Sequence, residues 1–332
     1  MRGPAGILAT VGLSSDPATL VAAARRGDRR ALARLITIVE DDRPGALDVL
    51  RLADRRSGVA ARMGITGAPG AGKSTITDGL ITVIRERGDE VAVLAVDPTS
   101  PFSGGAVLGD RVRMQDHVSD RGVFIRSMAS RGHLGGLSAA APKALIVLEA
   151  AGFPEVIVET VGVGQDEVEI AESADTTVVV LNPGWGDGIQ AAKAGILEIG
   201  DVFVVNKADR PGVRETVADL NAMLALDESA RWLPPVVTTV AATGDGIDEL
   251  WAAVQRHRAF LAEAGLLEAR RRTRRRGELE TALTAAFRRR ARSMLTADDG
   301  AGVLAKVLAG DIDPWTAAES ILSGREGDAP AG

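Results

Sequence analysis

The sequence predicts an α/β chain: a mostly parallel sheet flanked by helices, with helical extensions at both ends. Three observations predict it. Between Val59 and about Ala262, short valine-rich apolar runs alternate with longer stretches of helical periodicity, the pattern of strand–helix units that build parallel sheets. The string Gly67-Ala68-Pro69-Gly70-Ala71-Gly72-Lys73-Ser74 fits G-x-x-x-x-G-K-[ST] and stands between an apolar run and a helix-like run, where a phosphate-binding P-loop has to stand. Outside that span the apolar spacing is helical. The boundaries that follow are a helical extension over 1–57, a P-loop domain over 58–262, a helical extension over 263–325 and a disordered Gly/Ala/Pro tail over 326–332.

The first helical stretch starts at Asp16-Pro17, an N-terminal signal, and continues to about Ser57 with Leu20, Ala24, Leu32, Leu35 and Ile36 near a 3.6-residue period. In the P-loop, glycines let backbone N–H groups point into a concavity for an anion, and the following helix adds the positive end of its dipole. Gly67 through Ser74, with Thr75, are therefore nucleotide-binding candidates: Lys73 to reach the β- and γ-phosphates and the Ser74 hydroxyl to ligate Mg²⁺. The chain has 39 Lys+Arg but spends only five of them as lysine: Lys73, Lys143, Lys193, Lys207 and Lys306. An ammonium is not a guanidinium, so these are candidates for positions where the exchange fails.

The run from Val91 to Val96 ends in Asp97, and that from Glu155 to Val158 ends in Glu159-Thr160-Val161-Gly162. Both acids are expected at the carboxyl ends of buried parallel strands, where open α/β sheets bind ligands. Glu159 takes the place of the Asp in D-x-x-G, and its extra methylene still allows it to hold Mg²⁺ directly or through water. Val163, not Gln, follows Gly162, so the Ras-like water-positioning device is missing from its usual place. Asp97, or Asp110 beyond a Pro/Gly/Ser-rich loop, is the candidate for orienting the attacking water, and Asp97 is with Ser74 and Glu159 also a candidate Mg²⁺ ligand; both acids also read as turn residues.

After the run Asp201 to Val205 comes Asn206-Lys207-Ala208-Asp209, the pattern N-K-x-D. An Asp carboxylate accepts two hydrogen bonds from the N1–H and N2–H₂ edge of guanine, which adenine does not offer, so Asp209 sets base choice unless it is merely a helix N-cap. Two roles are open to Asn206, tying the base loop to the P-loop or contacting N7, while the stem of Lys207 lies across the ring. Val240-Ala241-Ala242-Thr243-Gly244-Asp245-Gly246-Ile247 is similar to S-A-x-x-G-x-G-I without its Ser, and would close Ala241 and Ala242 over the guanine O6. The ligands so read are GTP and GDP.

Several strings, Val96 to Pro101 with Gly104-Gly105, Arg126 to Gly136, Glu159 to Gln165 and Pro183 to Gln190, resemble the methylmalonyl-CoA mutase-associated GTPases, the MeaB or ArgK-like proteins, over about Ala31 to Ala262. The resemblance implies a Mg²⁺-dependent GTPase that chaperones an adenosylcobalamin-dependent acyl-CoA mutase, methylmalonyl-CoA mutase or a close relative, gating cofactor loading and protecting the mutase. It implies no tightly bound cobalamin on this chain. The catalytic set it supports is Lys73, Asp97, Asp110, Glu159 and Lys193. It also implies a third switch loop facing the partner, here Pro183, Gly184, Trp185, Gly186, Asp187, Gln190 and Lys193, and a homodimer made by the C-terminal extension. Three glycines leave this loop few steric restrictions, and Trp185 among them reads either as an interface anchor or as a side chain folded back. The alternatives are a kinase of the type the older ArgK transport label supposed, or a metallochaperone GTPase; zero cysteines argue against the nickel-delivering cousins.

The composition, 45% hydrophobic with net charge −6, is that of a soluble globular chain. It shows neither an 18-residue apolar run nor a convincing signal peptide, so a cytoplasmic location away from membranes is expected. The run Arg270-Arg271-Arg272-Thr273-Arg274-Arg275-Arg276 invites a nucleic-acid reading, but Glu268, Glu278 and Glu280 flank it and stacking aromatics are missing. It reads as a solvated helix face or an ion-paired dimer contact, with no nucleic acid as partner. A charged helix is expected from Leu279 onward, then helices around Val303-Leu304 and from Ala317 to Leu322.

Overall fold

The computed structural model describes residues 16–54, 60–97, 114, 117, 119–129, 140–160, 172–184, 196–226 and 230–323. They divide into two compact units, one up to Arg274 and one from Arg275. In the first, seven parallel strands form one sheet: β1 (Ala61–Gly67), β2 (Val91–Asp97), β3 (Val123–Ala129), β4 (Glu155–Thr160), β5 (Thr176–Leu181), β6 (Val202–Asn206) and β7 (Val236–Thr239). Their spatial order is β3-β2-β4-β1-β5-β6-β7. The P-loop strand β1 is thus central, flanked by β4 and β5.

The strands read as continuous apolar runs because both faces are covered. On one face, α4 (Lys73–Glu86) and α8 (Ile247–Glu263) bury Met63, Ile65, Val93, Ile157, Val178 and Val204. On the other, α5 (Ala140–Ala151) covers Leu94, Val156 and Val158, while α7 (Val213–Leu224) covers Val179, Leu181, Phe203 and Val205; α6 (Ile196–Ile199) precedes β6. Val156, Ile157 and Val158 alternate between the faces, the period-2 geometry of a strand.

The N-terminal helices continue the second of these layers. Asp16 caps α1 (Pro17–Arg25) by accepting the Thr19 N–H at 2.9 Å, and Pro17 takes the first helical position, where its missing N–H costs nothing. Asp28 caps α2 (Arg29–Glu40) in the same way. Leu32, Leu35, Ile36 and Val39 of α2, with Val49 of α3 (Ala46–Asp54), join the core of α5 and the β2–β4 face. Polar ties reinforce this packing: Arg126 of β3 donates to Glu40 at 2.7 Å and Lys143 of α5 to Asp42 at 2.6 Å.

The last helix of the first unit corrects the sequence reading. Helix α9 (Leu267–Thr296) begins well before Leu279, and the arginine run lies within it. Three of those arginines pair within the chain and are not a solvated face. Arg270 grips Asp201 with two bonds (3.0 and 2.7 Å), Arg274 donates to Asp175 at 2.8 Å, and Arg271 reaches the same carboxylate at 3.3 Å. Asp175 also accepts the Arg62 backbone N–H at 3.1 Å, and on the neighbouring strand Arg258 of α8 holds both oxygens of Glu155. These acids precede or begin β5, β6 and β4. A row of carboxylates at the amino edge of the sheet is thereby neutralised by arginines from the last two helices of the unit, the pairing that buried charge requires. The second unit continues α9 and adds α10 (Asp298–Ala309) and α11 (Pro314–Ser323), where the helical pair was expected. Its α9 segment leaves Leu279, Leu283 and Phe287, four residues apart on one face, exposed. No helix among the described residues is long and apolar enough to cross a membrane.

Candidate functional site

Gly67 ends β1 at φ 131°, and a Cβ there would run into the carbonyl of Val180 on β5. Gly72, at φ 95°, is the N-cap of α4, and a Cβ on it would run into the Asn206 amide. Only glycine fits at these two positions. Between them the loop turns through Pro69 and Gly70, which are exposed, closed by the Ala71 N–H bonding the Ala68 carbonyl at 3.1 Å. Lys73, buried in the first turn of α4, donates its ammonium to the carbonyls of Gly67 and Ala68 at 2.8 and 3.0 Å, so its charge lies inside the loop it belongs to. Ser74 follows, buried, and Thr75 is half-buried on the adjoining face.

Strand register supplies the acids. Ile65 of β1 stands beside Glu159 of β4, which stands beside Ala95 of β2; Asp97 therefore ends β2 two residues further, level with Gly67. Glu159 is 3% exposed and is held by two hydroxyls of α4: Ser74 donates to Oε1 at 2.5 Å and Thr77 to Oε2 at 3.0 Å. Thr77 was missed in the sequence. It lies three residues after Ser74, and that spacing, which puts both hydroxyls on one helix face, was the signal that could have found it.

The base side closes on the same loop. Asn206, buried at the end of β6, donates to the Ala71 carbonyl at 2.8 Å and accepts from the Thr239 hydroxyl (3.0 Å) and the Ala241 N–H (3.1 Å). Of the two roles open to it, the geometry has the tie to the P-loop. Thr239, at the end of β7, is a second partner that sequence reading missed. Lys207 is one of two non-glycine residues at positive φ among those described, and its ammonium donates to the Gly70 carbonyl at 2.6 Å. Its stem thus crosses from the base motif to the phosphate loop. Asp209 is exposed, and it is not a helix cap, because α7 starts at Val213 behind Gly212. Ala241 is buried beside Asn206, Ala242 is exposed, and Val240 pairs with Asp245 to close this turn. The structure brings P-loop, Glu159, Asn206, Lys207 and the Ala241 turn together at the carboxyl end of the sheet. Pro183 and Gly184 begin the loop after β5, with the Gly184 N–H on the Thr216 hydroxyl at 3.3 Å. Asp110, Trp185, Gly186, Asp187, Gln190 and Lys193 lie outside the described residues.

A P-loop whose lysine is buried among its own carbonyls, an acid on the adjacent strand and an N-K-x-D turn bonded to that loop are the arrangement expected of a P-loop GTPase, and comparison with known proteins finds such a family. Residues 32–295 match the family described as methylmalonyl Co-A mutase-associated GTPase MeaB. A relative from Pyrococcus horikoshii, named as a GTPase, is 48% identical over 307 residues, covering 91% of this chain and 96% of its own length. The mouse protein named methylmalonic aciduria type A homolog, mitochondrial, is 33% identical over 267 residues, 75% of this chain and 64% of its own. Among solved structures, one named LAO/AO transport system kinase superposes with a TM-score of 0.65 at 28% identity, covering 93% of this chain and 97% of that one. The chain belongs to the MeaB family of methylmalonyl Co-A mutase-associated GTPases and is a guanine-nucleotide-binding P-loop GTPase.

Proposed function

We propose that this GTPase is a chaperone of an adenosylcobalamin-dependent acyl-CoA mutase, gating the loading of the mutase's cofactor and protecting it from inactivation, with GTP hydrolysis as the timing step. The observation that carries this reading is the family match over residues 32–295, whose description names association with methylmalonyl Co-A mutase; the mouse relative's name points the same way. The working form is a cytoplasmic homodimer joined through the second unit, a reading supported by the exposed Leu279, Leu283 and Phe287 stripe.

Within the site, Asp209 accepts the guanine N1–H and N2–H₂. Lys73 leaves the Gly67 and Ala68 carbonyls for the β- and γ-phosphates, and the loop's N–H groups and the start of α4 cradle them. Ser74 and Glu159 fit Mg²⁺: a hydroxyl and a carboxylate, both hard oxygen donors, buried and 2.5 Å apart. The ion, when bound, neutralises charge developing between the β- and γ-phosphates. Ser74 donates its hydroxyl hydrogen bond to Glu159, which leaves the lone pairs of its oxygen for the metal. Asp97, level with Gly67, or Asp110 orients the attacking water, and the loop from Pro183 to Lys193 reports nucleotide state to the mutase.

Mixing the purified chain with such a mutase tests the reading: GTP-dependent complex formation and faster phosphate release are expected, and neither appearing with any acyl-CoA mutase of this class would overturn it. Phosphate appearing on a small-molecule acceptor rather than in water would instead favour a kinase, the activity in the name of the transport-system relative.

A further inference from the structure

We propose that Thr77 is the positioning residue that makes a glutamate workable at Glu159, where the common D-x-x-G pattern has the shorter aspartate. The inference rests on reading Ser74 and Glu159 as the holders of Mg²⁺. A glutamate brings one more rotatable bond than an aspartate, so its carboxylate must be held by something if it is to face Ser74 reproducibly. Two hydroxyls from one helix face hold it, one on each oxygen: Ser74 on Oε1 at 2.5 Å and Thr77 on Oε2 at 3.0 Å.

Thr77 is fully buried in α4, with 0% of its surface exposed, so it touches no solute itself. Its hydroxyl also lies 3.0 Å from the Lys73 carbonyl, the ordinary intrahelical acceptor of a threonine. One proton cannot serve both acceptors fully, and the ionised carboxylate is the stronger. The hydroxyl therefore does more than satisfy its own helix: it fixes the plane of the Glu159 carboxylate and so the direction of Oε1. An isosteric valine keeps the volume and loses the hydroxyl alone, with its contacts to Glu159 and to the Lys73 carbonyl.

The test is a Mg²⁺ titration on the full chain, following retention of a fluorescent, non-hydrolysable GTP analogue and, separately, steady-state hydrolysis. Thr77→Val is expected to need about 10- to 150-fold more Mg²⁺ for half-maximal retention, the worth of one hydrogen bond to a charged acceptor, with metal-free nucleotide binding unchanged. Thr77→Ser, which restores the hydroxyl, should return the midpoint to that of the wild type. If valine disturbs the packing, Thr77→Ala carries the same expectation. A Thr77→Val midpoint equal to wild type while Glu159→Gln shifts it would overturn the role of Thr77 alone, and so would Thr77→Ser behaving like valine. An unshifted Glu159→Gln would overturn the metal reading beneath it.

Discussion

At the scale of single residues, base choice on the proposed reading falls to Asp209, a carboxylate exposed beside a turn that Asn206 and Lys207 bond to the P-loop. Asp209→Asn trades an acceptor pair for one that also presents donors to the guanine edge. Each hydrogen bond to a charged acceptor is worth about 1.5–3 kcal/mol, so calorimetry should show GTP and GDP binding weakened by at least that much. Wild-type protein binding ATP as tightly as GTP would contradict the assignment. Lys73 differs, because its ammonium is buried on loop carbonyls before any phosphate is considered. Lys73→Ala should abolish hydrolysis while circular dichroism shows an intact fold; a variant that still turns over GTP would exclude Lys73 from the phosphates. Both residues were legible because their motifs are local in sequence. Thr77 and Thr239 were not, since each bonds a partner on a different element, Glu159 and Asn206; the spacing of Thr77 from Ser74 shows a shared helix face but not the carboxylate that face meets.

At the scale of elements, helix α9 shows how charge misleads when read locally. Its arginines have acidic neighbours in sequence, yet Arg270, Arg271 and Arg274 find their partners in Asp201 and Asp175, which belong to the turns before β6 and β5. Breaking a buried pair costs about 3–5 kcal/mol, and Arg274→Ala should fall near the low end because Arg271 and the Arg62 N–H still hold Asp175. Chemical denaturation measures the loss; one below that of an exposed control such as Arg276→Ala would mean that the clamp carries no weight. The cluster also sets a pH dependence. Burial pushes Asp175 up, but Arg274, the Arg62 N–H and Arg271 outweigh it and hold its carboxyl below the ordinary value. Its contribution is therefore complete above the unfolded carboxylate value and is lost as pH falls through the folded one. Burial lowers His257, aided by Arg270 and Arg258 and opposed by Asp201. The unfolded chain then binds that proton more readily, so stability declines as pH falls below about 6.5 and levels off beneath the folded value. Glu155, raised by burial against Arg258, works in the opposite sense in the acid range. His257→Gln isolates the histidine: the slope of stability between neutral pH and the carboxylate range should flatten relative to wild type, and an unchanged slope would remove His257 from the account.

At the scale of the whole molecule, the alternation of valine-rich runs with helical stretches was enough to predict a parallel α/β sheet with helices on both faces, because strands buried on both sides leave continuous apolar strings. The strand order was not legible. That β4, not β2, lies beside β1 is decided by packing across the sheet, and it is this order that delivers Glu159 to Ser74. The same order puts β5 on the other side of β1, so the loop that leaves β5 at Pro183 starts next to the P-loop strand and rests its Gly184 N–H on Thr216 of α7, the helix that follows the base motif. On the proposed function this loop, which starts between the phosphate and base sides, reads nucleotide state and carries it to the mutase. Trp185→Ala should then leave GTP affinity and basal hydrolysis nearly unchanged, and Lys193→Ala GTP affinity alone, while both reduce the stimulation of hydrolysis by the mutase. Coupling free energies between sites are typically about 1–3 kcal/mol, so if this loop carries all of it, the nucleotide dependence of mutase binding should shrink by about 5–150-fold. Basal and mutase-stimulated rates measured for both variants decide the matter: stimulation equal to wild type in both would make the loop ordinary surface and send the search for the coupling element elsewhere in the chain.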